Sequence, residues 1–368
     1  MSDQKYRVAV VGGAGQWGRF YMGEYAARPE CEIIALVDRA KDRREAFAER
    51  YGAKAIYDSL DDLLAREVPD IVSLIVPVGQ NHELVTACAE AGVKVVSCEK
   101  PIAVELADAD AMVRVCEERG TRLACGTAYW DFPCLEETAK WISRGNIGCL
   151  TGASIPGGLP KEVAGSGCVA LTIIRLLTGM EAEWVEGWTL PPWDGFDVPS
   201  GRPESEIDCP AYGRVGLSGG IVCEIPKPPP PGESVGSLGA VTGDDGQVWT
   251  SIPKPIIIKG CGAESYPVFP SLLLAPNTRT FDSAIDRLLR AFDTGSGVAC
   301  NGHDYRQALE IAIALKLSAE NGHERIPLPL EDRSLRIYPH PYRLLGGDVA
   351  GWETIGYKGA PAVEPYNA

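Results

Sequence analysis

The sequence predicts an α/β protein in two parts: an N-terminal doubly wound parallel sheet, then a C-terminal α+β domain on an open, mostly antiparallel sheet. Three observations carry this. Between residues 6 and 125, continuous apolar runs alternate with stretches of helical spacing, the pattern of doubly buried strands joined by crossover helices. Beyond residue 180, apolar runs are separated by turn residues such as Ser218-Gly219-Gly220 and Asp245-Gly246, the mark of hairpins. A chain of 368 residues also exceeds one ordinary core. The expected boundaries are 1–126, 127–332 and a tail, 333–368. The tail is rich in Pro, Gly and Tyr and lacks helical or strand periodicity, so it is expected to wrap a neighbouring surface.

In order, Arg7-Val8-Ala9-Val10-Val11 is the first strand, and it runs into Gly12-Gly13-Ala14-Gly15-Gln16-Trp17-Gly18. Gly13, Gly15 and Gly18 form GxGxxG between a strand and a helix, the context that makes this pattern specific for a dinucleotide pyrophosphate. Gly13 serves a tight turn, Gly15 a close approach of backbone to phosphate, and Gly18 close helix–strand packing. Gln16 and Trp17 lead into the helix, whose free N–H groups would hold the phosphates. Phe20, Tyr21 and Tyr25 mark that helix until Pro29 stops it. The second strand, Ile33 to Val37, ends at Asp38, twenty residues after Gly18, where a carboxylate accepts hydrogen bonds from ribose hydroxyls. NAD is therefore expected. NADP stays open because Arg39, next door, can pair with a 2′-phosphate.

Helices follow at 43–51 and 61–66, then a buried strand from Ile71 that ends at Pro77. The loop Pro77 to His82 lies beyond a strand's carboxyl end, where ligands of such sheets sit, and Asn81 is a plausible cap for the next helix. Val93 to Cys98 is a further strand with Glu99-Lys100-Pro101 at its end, and helix 106–119 and strand 122–125 complete the unit. The second part opens with a helix at 135–144, a Gly-rich stretch at 157–167, and a helix from Cys168 that stops at Gly179, its C′ residue. The hairpins come next. The run Lys227 to Gly232, with four consecutive prolines, cannot join a ladder and is expected as an extended loop. Two amphipathic helices, Phe281 to Phe292 and Asp304 to Glu320, are expected to close the second domain.

A formal charge of −15 and a pI near 4.8 argue against nucleic acid or an anionic membrane as the main partner, leaving a small-molecule substrate. No signal peptide or long apolar run is apparent, so a cytoplasmic protein is expected. Twelve scattered cysteines without a CxxC pair read as reduced, mostly buried thiols. Isolated histidines give no metal site, and no nucleophile elbow seats a Ser/His/Asp assembly.

The Gly loop, Pro77 with His82, and above all Glu99-Lys100-Pro101 resemble the glucose–fructose oxidoreductase, inositol dehydrogenase and MocA (Gfo/Idh/MocA) family. The resemblance implies a Rossmann domain for NAD or NADP, and a second domain whose open sheet supports substrate and a homodimer or homotetramer interface. It also implies hydride transfer between nicotinamide and a sugar, cyclitol or polyol carbinol. It puts Pro77, His82, Glu99 and Lys100 beside the cofactor, and Lys100, Tyr129 and Trp130 beside the substrate. Here the chain departs from the family: the usual GxHxxD becomes Gly167-Cys168-Val169-Ala170-Leu171-Thr172, with Val169 in the histidine position and Thr172 in that of the substrate-contacting aspartate.

Valine has no proton to exchange, so the base must come from elsewhere. Lys100 is the strongest candidate, since a desolvated amine lowered to about 7 or 8 works as base or acid. His82 and Tyr129 follow. His303, His323 and His340, in helix-flanking or tail contexts, are given no role. Two other readings stay open: a cofactor-binding but inactive sensor or assembly subunit, and a redox-neutral NAD-dependent lyase or glycosidase.

Overall fold

The computed structural model describes residues 5–15, 17–126, 134–192, 202–230, 233, 235–251, 254–274 and 280–345. Six strands, β1 (Tyr6–Val11), β2 (Cys31–Val37), β3 (Ala55–Tyr57), β4 (Ile71–Leu74), β5 (Val95–Cys98) and β6 (Arg122–Cys125), form a parallel sheet in the order β3-β2-β1-β4-β5-β6. Helices α1 (Gly18–Ala26), α2 (Lys41–Tyr51), α3 (Leu60–Leu64), α4 (Asn81–Ala91) and α5 (Leu106–Arg119) lie between them in the chain. The continuous apolar runs are strands with both faces covered: Val8, Ala9, Val10, Leu36, Ile71, Val72 and Val96 are fully buried. Register pairs Val11 with Val37 and with Leu74, so the carboxyl ends of β1, β2 and β4 share one edge. Strand order reverses between β1 and β4, and the crevice beyond such a reversal is where ligands of these sheets bind.

The second sheet has nine strands: β7 (Leu150–Ser154), β8 (Ala182–Thr189), β9 (Ala211–Leu217), β10 (Ile221–Ile225), β11 (Ala240–Gly243), β12 (Gly246–Trp249), β13 (Ile256–Lys259), β14 (Tyr266–Pro267) and β15 (Ile326–Pro327). Their order is β14-β13-β12-β11-β7-β10-β9-β8-β15, antiparallel except where β7 meets β10. The expected hairpins form, with Leu217 opposite Ile221 and Gly243 opposite Gly246. Helices α6 (Leu135–Ser143), α7 (Cys168–Thr178) and α9 (Gly302–Glu320) pack in this half. Gly179 ends α7 in the left-handed conformation, and Asn301 and Asp304 form a capping box on α9.

One expectation is corrected. Helix α8 (Thr280–Thr294) closes the first core and not the second: its Ile285, Leu288 and Leu289 pack with Val8, Val10, Tyr21 and Val95. These i, i+3, i+4 positions make one apolar stripe, and the first sheet offers the apolar face that the stripe covers. The described part of the tail lies along its own chain. Arg333 pairs with Asp110 at 2.7 Å and with Glu310, Arg336 with Glu105 at 2.6 Å, and Tyr338 N donates to Glu206 O at 2.7 Å. A short helix, α10 (Pro341–Leu345), follows. All twelve cysteines are free thiols, ten of them buried, and among the described residues no helix is long and apolar enough to cross a membrane.

Candidate active site

The cofactor half of the cleft is shaped by glycine. Gly12, not Gly13, takes the left-handed turn (φ +75°), and a Cβ there would stand 2.1 Å from Ile75 O. Gly13 faces the core, where a Cβ would meet Leu36 Cδ1 at 2.5 Å. Gly18 carries the close packing expected of it, since its Cβ would lie 2.1 Å from Gly12 O. Helix α1 begins without a side-chain cap or an acid in its first turn, so its N-terminus faces this loop with uncompensated positive dipole. That arrangement fits a pyrophosphate. Asp38 stands beside it: Oδ2 accepts from Ala14 N at 3.1 Å and Oδ1 from Ala40 N at 2.8 Å. A cavity of about 220 Å³ opens here, lined among others by Gly12, Asp38, Arg39, Arg43 and Pro77. Arg39 is exposed and Arg43 buried.

A second cluster surrounds Lys100, at the carboxyl end of β5. Asn81, expected as a helix cap, instead sits fully buried and sends its carboxamide N–H groups to Glu99 O (3.0 Å), Pro101 O (3.2 Å) and Ile102 O (3.1 Å). It thereby fixes the loop that carries Lys100. Tyr21 Oη donates to Glu99 Oε1 at 3.0 Å, tying the same loop to α1. Lys100 Nζ donates to Gly165 O at 3.0 Å, in a turn of π-helix at Val163–Gly167 that precedes α7. The amine's pKa lies below the ordinary lysine value, first because burial penalises its charge and next because Arg343 adds like charge. Cys168, Glu99 and Glu162 oppose the shift.

Behind Gly165 lies a carboxylate that sequence reasoning missed. Asp208 is fully buried and accepts from Val163 N (2.8 Å), Gly165 N (3.0 Å) and Cys209 N (2.9 Å). Its carboxyl is pushed up to about 7 by burial and by the neighbouring Glu162, against the pull of those three amides. Glu162, also buried, accepts from His340 N at 2.7 Å and from Arg343 Nε at 3.1 Å. The sequence offered a signal for these groups only in their types, acids and an arginine in Gly- and Pro-rich stretches without helical spacing.

The structure thus brings together Gly12, Gly13, Gly18, Asp38, Arg39 and Pro77 on one side, and Glu99 and Lys100 on the other. It turns His82 elsewhere, with Nδ1 2.9 Å from Asp108 Oδ1 at a half-exposed position on α4. Val169 and Thr172 are buried, and the Thr172 hydroxyl donates to Val169 O at 2.9 Å, back into its own helix. Trp17 is exposed at the start of α1, its ring 5.9 Å from that of Phe281 on α8. Gln16, Tyr129 and Trp130 lie outside the described residues.

Residues 6–127, the span of the first sheet, match the oxidoreductase family with NAD-binding Rossmann fold. Those residues are a Gfo/Idh/MocA NAD-binding Rossmann domain. Relatives include the D-apiose dehydrogenase of Paraburkholderia graminis, 29% identical over 145 residues (39% of this chain, 38% of the relative). Another is the 2,7-anhydro-N-acetylneuraminate hydratase of Mediterraneibacter gnavus, 33% identical over 149 residues (40% and 38%). The matched stretch spans well under half the length of these Gfo/Idh/MocA relatives. The fold extends further: the WlbA dehydrogenase of Bordetella pertussis, solved with NADH and UDP-GlcNAcA, superposes with a TM-score of 0.70 at 22% identity, over 90% of this chain and all of that one.

Proposed function

We propose that the chain is an NAD(P)-dependent oxidoreductase of a sugar-, cyclitol- or polyol-like carbinol, with Lys100 as the group that takes the hydroxyl proton. The observation that carries this is Lys100 itself: a half-buried amine at the cleft edge of β5, held to Gly165 O and depressed in basicity, with Val169 and Thr172 buried behind it. When bound, the dinucleotide would supply the two-electron acceptor for the carbinol hydrogen and its electron pair. Gly12, Gly13 and Gly18 would seat it, and Asp38 would hold its ribose. The neutral Lys100 amine can donate one N–H to Gly165 O while its lone pair receives the hydroxyl proton, becoming an ammonium that later returns the proton to water. NAD is preferred in this reading, because Asp38 would repel a 2′-phosphate.

A second reading has one observation in its favour. Val169 and Thr172, both buried, offer no group that titrates near neutral pH at the positions where the resemblance implies histidine and aspartate, which suits a redox-neutral enzyme or a cofactor-binding sensor or assembly subunit as well as a rebuilt dehydrogenase. The outer face of the second sheet, where Ile256 is exposed, is the proposed place for a homodimer or homotetramer contact. The test is a panel of polyols, sugars and keto-sugars with NAD and NADP, reading both nicotinamide reduction and product. Net NADH formation, stronger with NAD than NADP, is expected. Product without net NADH would transfer the assignment to a redox-neutral reaction, and cofactor binding with no product to a sensor.

A further inference from the structure

We propose that Arg343, carried to the cleft by the C-terminal segment and anchored on Glu162, is a positioning residue for Lys100, so that the tail completes the active site in cis. The inference rests on the reading of Lys100 as proton acceptor and adds the group that keeps it fit for that work.

The tail reaches this place along a chain of anchors. Arg333 is tied to Asp110 and Glu310, and Arg336 to Glu105. Asp208 N donates to Tyr338 O at 2.9 Å, and His340 N donates to Glu162. Helix α10 then packs against residues 78–80, in the loop that follows β4 on the Rossmann side. Residues 338–345 therefore span from the cofactor domain to the turn at Val163–Gly167. Glu162, 5% exposed, uses both oxygens on the tail, and its charged partner Arg343 has a side chain only 14% exposed. A carboxylate is rarely buried this far unless paired, so the pair is a built feature and not a surface encounter.

Gly165 is where the tail and Lys100 meet. Its carbonyl accepts from Lys100 Nζ, its N–H donates to Asp208, and a Cβ built on it would stand 2.9 Å from Arg343 Nε and 2.2 Å from Glu162 Oε2. Two cationic side chains thus approach one residue from two sides. The charged and titratable groups acting on Lys100 are Arg343 from the tail, Glu162 and Cys168 from the two ends of the turn, and Glu99 from its own loop. The carboxylates favour the ammonium form, and the guanidinium disfavours it. Arginine suits this role because its charge is permanent and its Nε can be fixed on a carboxylate. The sign follows directly. Without the charge at residue 343, Lys100 holds its proton to higher pH, and the neutral amine that must accept the hydroxyl proton becomes scarcer near neutrality.

The test needs neither substrate nor cofactor. Trace acetylation of the full-length protein with acetic anhydride across a pH series, read by mass spectrometry of the peptide holding Lys100, reports the pH at which that amine loses its proton. Arg343→Gln keeps a donor for Glu162 and removes the charge, and the Lys100 midpoint should move up. Arg343→Lys keeps the charge and should stay near the parent. Arg336→Met, which loosens the tail at an exposed anchor while leaving Arg343 in place, should also leave the midpoint near the parent. An unmoved midpoint in Arg343→Gln overturns the proposal, as does an equal rise in Arg336→Met, which would make the tail a mere strap. Arg343→Met replaces Arg343→Gln if the latter does not fold. Failure of Lys100 as proton acceptor would appear separately, as retained turnover in a Lys100 variant.

Discussion

Around Gly12 and Gly18 the cleft is shaped by an absence, the Cβ that would strike backbone at 2.1 Å; around Lys100 it is shaped by charged groups brought from distant segments. Asp38 and Ala14, which join in the first region, are 24 residues apart. In the second, Lys100 reaches Gly165 over 65 residues, and Glu162 reaches Arg343 over 181. A local device tolerates little change in its backbone, and it repeats from one dinucleotide-binding protein to another. An assembled device can exchange its parts, which is how α7, a helix without histidine or aspartate, can still adjoin a titratable amine.

The largest effect should come from breaking the local device. In Gly18→Ala the added methyl meets Gly12 O at 2.1 Å and Gly13 Cα at 2.6 Å, both backbone, so the loop must move. We expect NADH binding, followed by fluorescence titration, to be lost, with about 1–3 kcal/mol of stability. Parental affinity would mean that the loop is softer than its packing implies. Next is the double change Val169→His with Thr172→Asp, which puts the residues that the family resemblance implies at positions only 3% and 1% exposed. An unpartnered polar group there costs about 1–3 kcal/mol, so a lower melting temperature and no new polyol oxidation are expected. A gain of broad polyol activity would show a decayed site, not a rebuilt one.

A subtler test concerns Asp208, whose carboxyl is pushed up from 3.8 to about 7. The folded state then holds this proton more tightly than the unfolded chain, so its contribution to stability is full below the unfolded value and is lost as pH rises toward the folded one. Asp208→Asn removes that dependence. Relative to the parent it should gain stability between about pH 4 and 7, by roughly 4 kcal/mol at most. A pH-independent loss of about 1 kcal/mol accompanies this, for the amide that the carboxamide NH₂ cannot accept. Denaturant unfolding at several pH values measures the difference. A flat difference would place the raised proton on another group.

The two regions also differ in what could be read before folding. The parallel sheet, the glycine loop and Asp38 follow from spacing and apolar runs, because each depends on neighbours within about one βαβ unit. Helix α8 joins the first core although it follows the second domain in the chain, since sequence order says nothing about which face its Ile285-Leu288-Leu289 stripe covers. Asn81 looked like a cap because Asn precedes helices for that reason, yet its amide serves the loop of Lys100. Glu162, Asp208 and Arg343 had no local pattern at all. Their meaning exists only once the turn at Val163–Gly167 and the tail have been brought together.

The central claim is that the glycine loop holds the cofactor while Lys100 moves the proton. Turnover and NADH binding of Lys100→Met, measured side by side with the parent on its best substrate from the panel, test it most directly. Loss of a general base lowers the rate by roughly 100- to 10,000-fold, and NADH affinity should stay near parental because the phosphates are held elsewhere. Turnover close to the parent would put the proton acceptor on another residue, and collapse of NADH binding would make Lys100 a cofactor anchor.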